Sequence, residues 1–550
     1  MANVSVAVSD SPKLGVGLEE RAHKDLSEEI PFRSALMVAL AAGMGYGFDA
    51  YAVNLYSIIL PTIVVSLGIS TFTSGVIGSL FLVGYTIGTV GFGIAADRYG
   101  RKDTLGVSIL LYGFTTSLGG LFGSIPWLFT VMRVLTGIGG AGELAVGAPY
   151  TCEMFKSRHR ALGTGGIMFS LYSLGYMVAG VVALALVPSW GWKAAFIIAI
   201  VPAVLVFIFR RFISESVRYV VDKAEDKFAA AQALLKAQRE AGTTAARAAA
   251  VARIEKEEAK VDTPAALALA QTSAAGRTGP STALVVVLGV LSVAGLFVGL
   301  LTQIPKGAAA ALVTVSALAI LGVAALYSFQ RTEKEQVWHI PGVRKRIGIG
   351  WLVYTANAMG YWGITTFLTT FMVKKFGVSP TRAIDYAIMF YGAQFFMSYI
   401  GTGLSDWKGR RPIAILGALI MMACTAVAAT SNSLGLFLVF GALMVAMLGW
   451  LWGVSDTYLS ELFPTSIRGS GFGIAVGGGR VMSIAAPFLV GAGIAAFGPT
   501  APFLATAGLW ILTIIGYLLG PETARKPLEQ LEYEFELLSA PQHEETSTAA

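Results

Sequence analysis

The sequence predicts an all-α membrane protein built from two similar halves. Of its 550 residues, 55% are hydrophobic and 13% are charged, whereas soluble domains carry about 25% charged residues. Apolar stretches of about twenty residues recur along nearly the whole chain, and each is long enough to cross a hydrocarbon core about 30 Å thick. Because these stretches are uninterrupted rather than alternating, they favour helices over the strands of a membrane barrel.

Two sequence signatures occur twice at nearly the same offset. The segment DRYGRK, which begins at Asp97, returns in altered form as DWKGRR at Asp406, 309 residues later. The segment YTCEMF at Tyr150 returns as YLSELF at Tyr458, 308 residues later. This repetition indicates two homologous halves. In membrane chains, paired halves are typical of transporters that rock about a site between them.

Each half has six predicted spans, numbered 1 to 12 along the chain. They lie at 34–60, 73–96, 104–123, 126–150, 163–187 and 190–210 in the first half, and at 344–372, 382–405, 413–430, 433–456, 471–493 and 502–520 in the second. A further hairpin of two apolar segments, 282–302 and 308–328, separates the halves. We therefore expect about 14 transmembrane helices.

Composition divides the chain into six regions. They are an N-terminal tail at 1–33, a six-helix half at 34–211, a charged helical linker at 212–281, an inserted hairpin with its connector at 282–340, a second half at 341–520 and a C-terminal tail at 521–550. The linker is rich in Ala, Glu, Lys and Arg, which favour helix. The hairpin spans carry no charge, so we expect a peripheral, structural role. The acidic C-terminal tail is expected to be solvated.

Lys and Arg mark one side of the membrane. They are concentrated in the loops after spans 2, 4 and 8, although Lys374 and Lys375 are exceptions on the other side. By the positive-inside rule, both termini are cytoplasmic and the protein is a multi-pass protein of the plasma or inner membrane. The same loops account for the net charge of +7, so no nucleic-acid partner is expected. The two cysteines, Cys152 and Cys424, indicate neither a disulfide framework nor a metal cluster.

Several motifs resemble those of a known family. GIAADRYGRK, which begins at Gly93, resembles the loop signature of the major facilitator superfamily, and RVLTGIGG at Arg133 resembles its fourth-helix motif. SESVRY at Ser214, ELFPTSIRG at Glu461 and PET at Pro521 resemble the sugar-porter-like subgroup. The resemblance implies a secondary transporter with the superfamily's fold of two six-helix pseudo-repeats. The inserted hairpin departs from the usual twelve-helix plan. The first, fourth, seventh and tenth helices would line the cavity.

The duplicated motifs also predict a gate. Carboxylates at cytoplasmic helix ends can pair with arginines and helix termini while that side is closed, and opening must break these pairs. The predicted gate residues are Asp97, Arg98, Arg101, Glu153, Arg160, Asp406, Arg410, Asp456, Glu461 and Arg468. The alternative is that these charges only anchor the topology.

Three ionisable residues lie in the middle of predicted spans, namely Asp49, Glu143 and Arg480. Such a group costs about 2.5–3.5 kcal/mol at a helix centre, so it requires a reason. Arg480 would hold an anionic substrate by charge-assisted hydrogen bonds. Asp49 or Glu143 would carry a proton, because burial favours the neutral carboxyl. In the alternative, Arg480 pairs with one of the two carboxylates as a structural bridge.

Further resemblances concern the substrate. GGAGEL, which contains Glu143, resembles a stretch of nicotinate and related organic-anion transporters, and so does GFGIAVGGGR, which ends at Arg480. AGMGYGFDAY, which contains Asp49, resembles proton-coupled phosphate transporters, and aromatic-acid symporters also place an acidic residue in this helix. Further candidates for the substrate site are Asn357, Tyr361, Trp362 and Gln394, although aromatic packing between helices is an alternative for them.

Together, these patterns predict a secondary active transporter that moves a small organic anion, a carboxylate or aromatic acid, by proton symport and alternating access. The alternatives are a proton-coupled phosphate or sugar transporter and a membrane nutrient sensor that does not transport. Four histidines, without metal-ligand spacing, a phosphate loop or a nucleophile elbow, argue against an enzyme. We expect no cofactor beyond the proton gradient, and partners limited to the substrate, the proton and the bilayer, with a functional monomer.

Overall fold

The computed structural model describes residues 26–69, 71–223 and 342–539. In these ranges the chain is helical apart from short connections. The predicted hairpin at 282–328 and most of the predicted linker lie outside the described residues. So do most of the N-terminal tail and the last residues of the C-terminal tail.

The first half has six spans in the predicted order. They are Phe32–Ile58 continued by Leu60–Leu67, Thr71–Tyr99, Arg101–Leu121, Pro126–Met154, the π-helix Leu162–Met168 continued by Phe169–Trp190, and Trp192–Ile197 followed by Ile200–Arg210. The second half repeats the plan with Val343–Thr365 followed by Leu368–Phe376, Pro380–Lys408, Arg410–Thr430, Leu434–Glu461, Arg468–Ser483 followed by Ala486–Phe497, and Thr500–Leu519. Nine helices of the described part are long and apolar enough to cross a membrane.

Several spans run further than their apolar stretches predict. Span 4 was expected to end at residue 150 but continues to Met154, and span 10 was expected to end at residue 456 but continues to Glu461. Both extensions contain a glutamate, and both glutamates are buried. Arginines neutralise these glutamates inside the bundle, as described below, so the helices continue where the apolar pattern stops.

The two halves meet along a seam in which backbones approach closely. Span 2 packs along span 11, and span 5 packs along span 8 and contacts span 10. A Cβ atom on Gly93 would lie 2.3 Å from the carbonyl oxygen of Gly469, and one on Gly165 would lie 2.0 Å from that of Gly453. Since only glycine fits at such distances, small residues set the contact between the halves.

One end of the bundle carries most of the buried charges, and we call it the charged end. The helix Leu528–Ser539, which follows span 12, packs against this end, and its Leu528 and Leu531 form a small apolar cluster with Cys152 of span 4. The expectation of a fully solvated C-terminal tail is therefore wrong for this segment. Its apolar residues cover the charged end, while its acidic residues pair with arginines there.

Candidate functional site

A cavity lies between the two halves, midway along the spans. It is small, and both halves contribute to its wall. Aromatic rings form most of that wall, which consists of Tyr46, Val53, Tyr85, Phe169, Tyr172, Tyr361, Trp362, Trp452 and Arg480. An aromatic wall with one charged group suits a small ligand that has a flat apolar body and an anionic end.

Arg480 supplies the positive charge of this cavity. Its guanidinium lies 4.1 Å from the ring centre of Tyr85 and 5.9 Å from that of Trp452, and its Nη2 donates to the hydroxyl of Tyr354 at 3.0 Å. Within the described part of the chain, Arg480 forms no ion pair, and its Nε has no hydrogen-bond partner. The guanidinium is thus oriented by neutral aromatic groups and keeps donor capacity for an anion.

Asp49 contacts the hydroxyl group of Tyr85. Its Oδ2 accepts a hydrogen bond from the Tyr85 hydroxyl at 2.7 Å, and its Oδ1 has no hydrogen-bond partner among the described residues. The carboxylate is fully buried. Gly140 of span 4 makes room for it, because a Cβ there would lie 2.0 Å from Oδ1. One tyrosine therefore contacts both the carboxyl and the guanidinium.

Glu143 pairs with an arginine other than Arg480. It accepts two hydrogen bonds from Arg210, through Nη1 at 3.0 Å and through Nη2, and a third from Ser108 at 3.1 Å. Arg210 also donates to backbone carbonyls of spans 1 and 3. The alternative of a bridge between Arg480 and Glu143 is not what the structure shows. Glu143 instead belongs to a buried pair that fastens span 4 to span 6, away from the cavity wall.

This pair makes Gly45 sensitive to substitution. A Cβ on Gly45 would lie 1.9 Å from Nη2 of Arg210 and 2.2 Å from Oε2 of Glu143. We expect Gly45→Ala to lower the free energy of unfolding by about 2–4 kcal/mol, since it displaces a buried ion pair. The midpoint of thermal unfolding in detergent should fall accordingly. Gly91→Ala is the matched control, because no atom lies within 4 Å of its Cβ position; equal midpoints for the two variants would contradict the prediction.

Of the four other predicted substrate residues, two line the cavity and two do not. Tyr361 and Trp362 line the cavity, and the Tyr361 hydroxyl lies 3.4 Å from that of Tyr172. Asn357 is one helical turn before Tyr361 and fully buried, and neither of its amide atoms has a partner in the described ranges. The same holds for Gln394 of span 8, which lies outside the cavity wall.

The predicted gate forms two buried clusters at the charged end, one for each half. In the first, Arg101 bridges Asp97 and Glu153, each at 3.0 Å, and Arg468 of the other half reaches Glu153 at 3.0 Å. Asp97 also accepts the backbone N–H groups of the two residues after Arg468, at 2.9 and 2.6 Å. This carboxylate caps the start of span 11, where the helix dipole favours negative charge.

The second cluster repeats the arrangement with the halves exchanged. Arg410 bridges Asp406 at 2.6 Å and Glu461 at 2.9 Å, and Arg160 of the first half reaches Glu461 at 3.1 Å. Asp406 accepts the N–H groups of the two residues after Arg160, at 3.1 and 2.9 Å, and so caps the start of span 5. Both clusters cross the seam, so the charged end is closed in this structure and opens only if they separate.

Two predicted gate residues lie outside these clusters. Arg98 is exposed, and its guanidinium lies 5.4 Å from the ring centre of Tyr99. Asp456 is buried in span 10, and in the described part of the chain it has no ion pair. Neither residue contributes to the cross-half pairs.

Sequence reasoning missed two carboxylates that support the clusters. Glu215 accepts the first two N–H groups of span 3 at 3.1 Å each, and Glu522 accepts those of span 9 at 2.9 and 3.0 Å. Burial raises the pKa of the Glu215 carboxyl, although these N–H groups oppose the shift. Both glutamates belong to motifs that resemble the family, SESVRY for Glu215 and PET for Glu522, but that resemblance did not indicate what the glutamates do.

The terminal helix extends the first cluster. Its Glu529 pairs with Arg218 at 2.9 Å, and its Glu532 pairs with Arg468 at 3.1 Å. Arg218 follows the first half and Arg468 begins span 11, so this helix bridges the two halves at the charged end. The missed signal was a run of acidic residues between apolar ones after span 12.

Aromatic residues of the first half were also missed. Tyr46, Tyr85, Phe169 and Tyr172 come from three different spans and meet only in the folded bundle. Arg210, the partner of Glu143, lies at the very end of span 6 and resembled an ordinary loop cation in the sequence. No local pattern distinguished these residues from packing or loop residues.

A family model described as Major Facilitator Superfamily matches residues 42–340 and 350–543. The chain belongs to the Major Facilitator Superfamily. The twelve described spans and the paired halves are those of a major facilitator, and the chain is a multi-pass membrane transporter rather than an enzyme. The total of about 14 helices depends on the hairpin, which lies outside the described residues.

Known proteins are similar to this chain over shares of its length that range from one third to nine tenths. The niacin transporter NiaP of Acinetobacter baylyi is 24% identical over 492 residues, which cover 89% of this chain and 94% of that protein. A benzoate transport protein of the same species is 34% identical over 189 residues, 33% of this chain and 39% of that protein. The solved structure of the proton:xylose symporter XylE of E. coli has a TM-score of 0.62 at 16% identity, covering 91% of this chain and 98% of XylE.

Proposed function

We propose that this major facilitator moves a small organic carboxylate, preferably an aromatic one, together with a proton. The observation that carries the proposal is Arg480, a buried cation without an ion pair among the described residues, in a cavity walled by aromatic rings. A carboxylate would bind the planar guanidinium through charge-assisted hydrogen bonds. A ring attached to it would stack against Tyr361, Trp362 or Phe169.

The similar proteins support this substrate class. One is named for niacin and another for benzoate, and both substrates join a carboxylate to an aromatic ring. The alternative substrates are phosphate and sugars. Phosphate is usually held by several donors or cations, whereas this cavity wall has one charged residue. The likeness to XylE shows the fold alone and does not support sugar as the substrate.

Proton coupling is assigned to Asp49. An ionised Asp49 and a bound carboxylate would together outnumber the single positive charge of Arg480 in a low-dielectric site. Protonation of Asp49 would make the loaded cavity neutral, and a neutral complex crosses the occluded state at lower cost. Tyr85 contacts both Asp49 and Arg480, so it would couple the proton-binding residue directly to the substrate-binding residue. The driving force is then the proton gradient, without a cofactor.

Alternating access would use the two clusters at the charged end, which we assign to the cytoplasmic side by the positive-inside rule. In the closed arrangement, the cavity is shut from the cytoplasm by pairs that join the halves. Rocking of one half against the other would break these pairs and expose the cavity inside. Each monomer contains both halves and so has the whole site. The cell membrane is the expected location.

Uptake into proteoliposomes tests the proposal. Radiolabelled benzoate and nicotinate should accumulate when an inward proton gradient is imposed, and a protonophore should abolish the accumulation. Xylose and phosphate serve as substrates of the two other classes, and protein-free liposomes as the blank. Accumulation of xylose or phosphate alone would contradict the carboxylate assignment, and sodium-driven uptake would contradict proton symport. Binding of benzoate without uptake would favour a nutrient sensor.

A further inference from the structure

Asp456 is a buried carboxyl group that the mechanism above does not use. Its side chain is 2% exposed, and its Oδ1 has no hydrogen-bond partner in the described residues. The two other carboxylates in the middle of the spans each accept at least one side-chain hydrogen bond. Asp49 accepts from Tyr85, and Glu143 pairs with Arg210. An ionised carboxylate without a donor or counter-ion is strongly disfavoured in a low-dielectric interior.

The position of Asp456 connects the cavity with the charged end. It follows Trp452 of the cavity wall by one helical turn and precedes Glu461 of the second cluster on the same helix. Between Trp452 and Asp456, Gly453 touches the backbone of Gly165 in the other half. Asp456 therefore lies on the seam, beneath the cavity and behind the closed clusters. Separation of the halves at this end would bring water to it.

The charged and titratable groups that interact with Asp456 come from four different spans. They are Tyr46 of span 1, Tyr354 of span 7, Arg480 of span 11 and Tyr517 of span 12. Only Arg480 is charged, and its Nη2 hydrogen bond goes to Tyr354. The three tyrosines are neutral at physiological pH. Among the described residues, Asp456 thus forms no ion pair while the charged end is closed, and Arg480 acts on it only from beyond ion-pair distance.

We propose that Asp456 is a second proton-binding residue, which holds a proton while the charged end is closed and releases it to water when that end opens. The step is simple dissociation of the carboxyl O–H, with water as the acceptor. It rests on the proposed function only in that the charged end opens during transport. Proton release would then stabilise the open state, because the carboxylate left behind is solvated.

Opening of the charged end would depend on pH. The closed state binds one proton more than the open state, so a rise in pH favours opening. For a single linked proton, the open population grows by up to about tenfold per pH unit between the two titration points. The ion-paired carboxylates of the two clusters have the opposite effect. Their protonation would break the cross-half pairs, so they favour opening as the pH falls.

Cys152 is a native reporter of this opening. Its side chain is fully buried at the charged end, against Leu528 and Leu531 of the terminal helix. With Cys424 replaced by serine, the rate of Cys152 alkylation by N-ethylmaleimide measures how often the charged end opens. Rates are taken on full-length protein in detergent over a series of pH values above the ordinary carboxyl range. Division by the rate for denatured protein at each pH removes the ionisation of the thiol itself.

We expect the corrected rate to rise with pH in this background. In Asp456→Asn, which mimics the protonated form, Cys152 should stay protected and the rise should be lost, whereas Asp456→Glu should restore it. Thr457→Val is the matched control, because it changes a neighbouring buried side chain that does not titrate, and it should keep the rise. A rise in Asp456→Asn equal to that of the parent would overturn the proposal, and so would a corrected rate that falls with pH in the parent. Since no substrate is used, a wrong substrate class in the uptake assay leaves this result unaffected.

Discussion

Arg480→Lys is expected to weaken binding of benzoate or nicotinate by about 1.5–3 kcal/mol, or roughly 10- to 150-fold in Kd. The guanidinium lies over Tyr85, donates to Tyr354 and still has donors for a carboxylate. A lysine ammonium keeps the charge but not the planar, forked donor geometry, so it cannot make all of these contacts together. Equilibrium binding to purified protein measures the effect. Arg480→Ala should lose more affinity.

Arg133→Lys is the matched control for this change. Arg133 is also a buried arginine without an ion pair in the described ranges, but it lies outside the cavity wall. It donates to the carbonyl of Ala52 and lies over the rings of Tyr56 and Phe81. Its replacement should leave the Kd nearly unchanged. If folded Arg480→Lys binds as well as the parent, Arg480 is not the substrate cation. Because Glu143 pairs with Arg210, Arg480→Ala does not leave Glu143 unpaired.

Asp49→Asn is expected to abolish proton-driven accumulation while leaving exchange of substrate across the membrane. Asparagine keeps the size and a hydrogen-bonding oxygen for Tyr85 but cannot gain or lose a proton. The loaded cavity would then stay neutral without a proton, so substrate could cross in both directions down its own gradient. Two assays on the same proteoliposomes separate these outcomes, namely uptake under an inward proton gradient and counterflow of labelled against unlabelled substrate.

Glu143→Gln is the control for the uptake and counterflow assays of Asp49→Asn. It also removes one carboxylate from the middle of the bundle, but it leaves Arg210 without its counter-ion and should mainly lower the unfolding midpoint. Accumulation by folded Asp49→Asn at the parent level would show that the proton is carried elsewhere. Loss of both accumulation and counterflow would show that Asp49 is needed for binding rather than for coupling.

The helices could be predicted from sequence because a bilayer imposes a simple rule of length and apolarity. The gate residues could be proposed because each cluster contains side chains of both signs in motifs that occur twice. Pairing of these carboxylates with helix termini was predicted as well, but that they cap spans 11 and 5 of the opposite half could not be, since the donors are backbone N–H groups with no signature in the sequence. Arg98 stands beside Asp97 in the motif but takes no part in the clusters, because neighbouring helical residues point in different directions.

The interior of the site was less accessible to sequence reasoning. Glu143 was recognised as a mid-membrane charge, but its partner, Arg210, is 67 residues away. The two meet because span 4 and span 6 both pack against spans 1 and 3. Tyr46, Tyr85 and Tyr172 resembled ordinary aromatic residues in apolar helices. They differ from other aromatic residues only in that they reach one cavity from separate spans, and this can be seen only in the packed structure.

The two helix caps at the charged end are equivalent when the halves are exchanged, and this equivalence bears on the origin of the chain. Asp97 of the first half caps span 11 of the second, and Asp406 of the second half caps span 5 of the first. Each contact thus occurs twice with the roles of the partners exchanged, which is the defining property of an isologous, two-fold interface. A single six-helix unit with one such aspartate could close the same seam by pairing with its own copy. The transporter has the architecture of a homodimer whose two subunits have become one chain.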